Sequence, residues 1–161
     1  MYKIFGEKMA KIDTIKEFAE LGFTRLDRAL ADITEEQLDW KSCSEANTIR
    51  NILTHLISEW YGFIPKIIKG DKDAEVKGVP EDYVGNMNLS IEKLMKDYEA
   101  AKKHLIEQLN KVKDEDLNKE MDWFMGKRPV AFYLMLGVSE IIHHEGQIAA
   151  IRGVEKRLKG L

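Results

Sequence analysis

The chain has 161 residues, 44% of them hydrophobic and 33% charged, the balance of one soluble globular domain and of neither a disordered nor a membrane-embedded chain. With 25 Lys and Arg against 28 Asp and Glu it carries a net charge of -3, which argues against nucleic acid as a partner, since a phosphate backbone calls for a basic stripe. The single Cys43 cannot close an intramolecular disulfide, no apolar run approaches the roughly 18 residues of a membrane span, and MYKIFGEKMAK lacks the apolar centre of a signal peptide, so a cytoplasmic location away from membranes is expected.

In chain order, the first long helix is expected from about Glu7 to Asp32. Its apolar stripe is Ile12, Ile15, Phe18, Leu21, Leu26, Leu30 and Ile33. A short helical turn follows in TEEQLDWK, where Thr34 and Gln37 have capping-box spacing. After a polar connection at 42–46, a second long helix runs from an N-cap near Asn47 to Lys69, and Gly70 ends it. Residues 70–88 lack periodicity and carry Gly, Pro and Asp throughout. A loop of that length suits a crossover between parallel neighbours in a bundle. Ser90 caps a third helix reaching about Val112, and MDWFMGKR at 121–128 is an extended or irregular approach. Pro129 then opens a fourth helix over 129–152. Strands have almost no support, and one all-α four-helix-bundle domain over 1–161 is expected.

The fourth helix holds the unusual chemistry. Glu140, His143 and His144 stand in an almost wholly apolar run. Glu140 and His144 are four residues apart and share one helical face. Burying that pair unpartnered costs several kcal/mol, so either a satisfied buried ion pair or a bound metal ion accounts for it. A catalytic metal usually takes three protein ligands, and His55 is the best third candidate, although a surface His would show the same pattern. Glu59, one turn after His55, is either a base or hydrogen-bond partner for an imidazole, or half of an ordinary salt bridge. Tyr133 and Gln147 share the side of Glu140 and His144 and are candidates to orient substrate or ligands. His143, rotated about 100° from His144, is expected to pack, orient a ligand or face a partner. Glu145 and Arg152 mark a seam expected to be wet, His104 reads as solvated, and Cys43 lies in a polar loop with no His near it in sequence.

Three stretches resemble the DinB-like superfamily: ALADITEEQLDWKSCSEANTIRNILTHLISEW at 29–60, MDWFMGKRPVAF at 121–132 and SEIIHHEGQIAAIRG at 139–153. EIIHHEGQ aligns with the family's last-helix pattern through His144, Gly146 and Gln147, and His55 aligns with its remaining metal ligand. Two positions depart: Glu140 stands where the family has its middle His, and Glu145 where a basic residue is common. The resemblance implies an up-down-down-up bundle, in agreement with the 70–88 crossover. It also implies one divalent ion held by His55, Glu140 and His144. Two imidazoles and a carboxylate suit zinc, nickel, manganese or iron(II); the alternative is a member that has lost its metal. Relatives include transferases and isomerases that use a low-molecular-weight thiol, and they are often dimers. The implied activity is metal-dependent transfer or hydrolysis on a small electrophilic substrate, by a homodimer. The rival is a non-catalytic dimeric bundle, a small-molecule sensor or structural protein, in which Glu140 and His144 merely pair.

Overall fold

Four long helices build the molecule in a computed structural model that describes residues 11–160. The expected helix start at Glu7 lies outside the described residues. Helix α1 spans Lys11–Leu30, a short α2 spans Glu35–Asp39, and α3 spans Ile49–Lys69. After the crossover come α4, Ile91–Leu109, a 3-10 turn at Asp116–Asn118, strands β1 (Glu120–Trp123) and β2 (Gly126–Pro129), and α5, Val130–Leu158.

Local chemistry explains most boundaries. Thr34 accepts from the Gln37 amide while Gln37 accepts from the Thr34 amide, closing the box that starts α2. Thr48, one residue beyond the expected Asn47, caps α3 by accepting from the Asn51 N–H. Gly70 ends α3 in the left-handed region at φ 67°, where a side chain would be strained. Ser90 caps α4 as expected, but that helix stops at Leu109 rather than Val112.

Side-chain contacts set the helix directions. Arg25 donates to Glu145, and further along Arg152 donates to the carbonyls of Ala29 and Ala31, so α1 and α5 run parallel. Arg50 near the start of α3 donates to the Leu89 carbonyl just before α4, and Tyr61 stacks on His104 at 4.7 Å, so α3 and α4 are parallel too. Ile64 packs at Gly137 while His55 meets His144, which makes α3 and α5 antiparallel. Tyr98 and Lys102 both donate to Asp27, setting α4 against α1. The bundle is up-down-down-up, and residues 70–90 form the crossover. Trp60, Tyr98, Leu26, Leu53, Leu56 and Ile64, all fully buried, lie at its centre.

Several expectations need correction. Residues 120–129 form an antiparallel hairpin, pairing Met121 with Arg128 and turning through Gly126 at φ 79°. Alternation is invisible there because β2 is exposed along its length. Helix α5 continues to Leu158, well past residue 152. On α1, Leu21 is 54% exposed, and Ala19, Gly22 and Phe23 take its place in the buried stripe. The seam marked by Glu145 and Arg152 is not wet: it packs on α1, where Glu145 is buried and ion-paired with Arg25. His104 is half-buried over Tyr61 rather than solvated.

Candidate metal centre

Two helices facing in opposite directions bring two i, i+4 pairs together. His55 and Glu59 lie on one face of α3, with Glu59 Oε1 3.5 Å from His55 Nε2. Glu140 and His144 lie on one face of α5, with Glu140 Oε2 3.5 Å from His144 Nε2. Because the helices are antiparallel, imidazole meets imidazole and carboxylate meets carboxylate. The rings of His55 and His144 are edge to face at 5.2 Å, and the charge of Glu140 is felt at Glu59.

Hydrogen bonding decides which nitrogen of His144 is free. In this orientation of the Gln147 amide, its oxygen lies 2.9 Å from His144 Nδ1 and accepts a hydrogen bond from that nitrogen's proton. The amide nitrogen of Gln147 lies 3.0 Å from His143 Nε2 and donates to it. His144 Nε2 is therefore a bare lone pair, buried and without a hydrogen-bond partner. It faces a carboxylate oxygen, and two acceptors at that range need a cation or a shared proton between them. Fixing the tautomer of a metal-binding imidazole through its other nitrogen is how such ligands are commonly oriented.

Burial shapes the charges. It holds His144 below the usual imidazole range, with His55 adding to the effect against the Gln147 hydrogen bond. Burial first, and the Glu140 carboxylate second, push Glu59 up to about 7. Glu59 Oε2 is also buried without a partner. Among the described residues no Lys or Arg pairs with Glu59 or Glu140.

Glu140 and His144 are spaced to share a divalent cation. A tetrahedral ion with bonds of about 2.0 to 2.1 Å sets its ligands about 3.3 Å apart, close to the 3.5 Å separating Glu140 from His144. Among the described residues, Glu140, His143 and His144 form the group whose donor atoms all lie within 4.8 Å of one another, and His55 is not in it. In that group, however, His143 is exposed and its Nε2 is already taken by Gln147. His55, the donor from the opposite helix, is half-exposed and borders a cleft of about 430 Å³ together with His144, Asn47, Asn51, Val84 and Gly85.

Other expected site residues fall elsewhere. Tyr133 is fully buried, but its hydroxyl donates to the Gly126 carbonyl and accepts from the Met125 N–H. It ties down the hairpin turn, three helical turns from His144. Cys43 is exposed between α2 and α3, away from these donors in the chain. Sequence reasoning missed the cleft: Asn51 lies one turn before His55 on the same face, whereas Gly85 arrives only through the crossover. The Gly85 N–H donates to Thr54 Oγ1, and its φ of 74° together with the nearby Asn51 amide favours glycine.

Comparison with known proteins agrees with this architecture. A model of the DinB superfamily matches residues 19–148. No curated protein matches the chain. Among solved structures, a DinB-like protein from Bacillus cereus has a TM-score of 0.70 at 22% identity, covering 95% of this chain and 96% of its own. A conserved protein from Enterococcus faecalis has 0.68 at 15% identity, covering 90% and 96%. A sibling lethal factor precursor, DfsB, has 0.68 at 16% identity, covering 94% and 98%. At such identities the likeness shows the shared fold.

Proposed function

The chain belongs to the DinB superfamily, and we propose that it is a metal-dependent enzyme in which His55, Glu140 and His144 hold one divalent ion, zinc, nickel, manganese or iron(II). The bare, buried Nε2 of His144 facing Glu140 is the observation that carries this reading. An ion there supplies Lewis acidity, which makes a water or a low-molecular-weight thiol nucleophilic at neutral pH. The reaction is then transfer or hydrolysis on a small electrophilic substrate.

The protein's own groups have separate tasks. Gln147 holds the His144 tautomer and joins it to His143. Glu59, poised near 7, accepts the proton of the nucleophile. Asn47 and Asn51 offer amides to a polar substrate group in the cleft. Toward the hairpin, Phe63, one turn from Glu59, stacks on Trp123 at 4.4 Å and gives an apolar body a surface. The enzyme works as a homodimer in a reducing cytoplasm, where the exposed Cys43 stays a thiol.

Metal content of tag-free protein tests the reading. Near-stoichiometric metal is expected, falling by at least about tenfold in His55→Ala and Glu140→Ala and persisting in His143→Ala. Retention in His55→Ala with loss in His143→Ala would transfer the site to the single-helix group. Protein that stays empty after incubation with each of the four metals supports the non-catalytic bundle instead.

A further inference from the structure

A second cleft, also about 430 Å³, opens between α3 and α4. It lies around α3 from the metal donors, since Ile57 is about 200° from His55 on the helix. Its floor is apolar and aromatic: Ile57 is buried, and Tyr61 stacks on His104 at 4.7 Å with ring planes 31° apart. Lys77, Val79 and Pro80 of the crossover form the roof.

The polar groups of this cleft are unevenly matched. Asp97 is fully engaged, accepting from the Tyr83 hydroxyl at 2.8 Å and pairing with Lys93. Lys77 has no ion-pair partner among the described residues, so two ammonium groups and one carboxylate leave a surplus positive charge. The Nε2 of His104 is buried and has no hydrogen-bond partner. An apolar and aromatic cleft with a free ammonium group at its rim has the make-up of a small-molecule site, and its volume is in the usual range for one. Tyr83 borders this space while the next two residues, Val84 and Gly85, border the metal cleft, so the crossover is a wall common to both.

We propose that the α3–α4 cleft binds a small amphipathic monoanion: a planar apolar ring system carrying one carboxylate. The carboxylate pairs with Lys77, and the ring lies against Tyr61, Val79 and Pro80 beside the His104 imidazole. None of these residues belongs to the proposed metal centre, so this site stands or falls independently of it.

Indole-3-acetate is a suitable probe, titrated into chelator-treated, 15N-labelled full-length protein. Saturable amide shifts are expected at Gly78, Tyr83 and His104. Lys77→Ala removes an exposed loop charge and is expected to weaken binding by about fivefold. The neutral indole-3-acetamide is expected to lose a similar factor, and Val79→Trp, which fills the slot, to abolish the shifts. His144→Ala should leave the affinity unchanged, which separates this site from carboxylate capture at the metal centre. The proposal is overturned if no saturable shift occurs, if the acetamide or the Lys77→Ala variant binds as tightly, or if the shifts survive Val79→Trp. It is equally overturned if they centre on the hairpin or vanish in His144→Ala.

Discussion

Glu59 and His144 pull the metal-free protein in opposite directions as pH changes. Glu59 is raised from 4.5 to about 7 by burial and by Glu140, so the native state keeps a proton that the unfolded chain releases. Its contribution is therefore fully present below about 4.5 and is lost as pH rises through about 7, at most about 3 kcal/mol. His144, lowered from 6.5 by burial, has the reverse sign: its contribution is present above 6.5 and is lost as pH falls toward its depressed value. Urea midpoints of chelator-treated protein at about pH 5 and pH 7.5 should show a loss at the higher pH that Glu59→Gln removes. An undiminished loss in that variant would assign the slope to another group. Metal loading should reverse the trend, because ligands bind a cation in their deprotonated forms.

At the scale of elements, one buried side chain joins three pieces of chain. Arg50 is 1% exposed, and its guanidinium bonds Asp39 and Glu35 on α2 and the Leu89 carbonyl at the end of the crossover. Asp39, the first cause, and Glu35 raise its pKa further, so it remains charged. Arg50→Met leaves Asp39 and Leu89 without their partner. The expected cost is about 3 kcal/mol by urea denaturation, since unmatched polar groups at a buried pair cost more than the pair itself contributes. A change below about 1 kcal/mol would mean that water replaces the guanidinium freely. The hairpin depends on tertiary contacts in a similar way, being held by the Tyr133 hydroxyl and by the Val130 N–H donating to Lys119.

For the whole molecule, apolar surface remains after the bundle has closed. Phe124 and Met125 at the hairpin tip are 57% and 51% exposed, and Phe132 and Met135 on α5 are exposed as well. Pairing of two copies is expected, with sedimentation giving about twice 18.6 kDa at tens of micromolar and Phe124→Lys lowering the mass toward one copy. A single-copy mass for the wild type at every concentration would rule out the homodimer. Three amphipathic helices and an almost wholly apolar fourth, the caps at Thr34 and Ser90, the stop at Gly70 and the long crossover could all be read from the chain, because caps and helical periodicity act over a few residues. The i, i+4 pairs were legible for the same reason. What no local pattern encodes is direction between distant segments. The antiparallel meeting of α3 and α5 set Glu59 beside Glu140 and turned His55 toward His144, parallel packing of α1 on α5 buried Glu145, and the crossover carried Gly85 to Asn51. Those outcomes arise from burial and charge shared across helices far apart in sequence, which only the assembled bundle brings within reach.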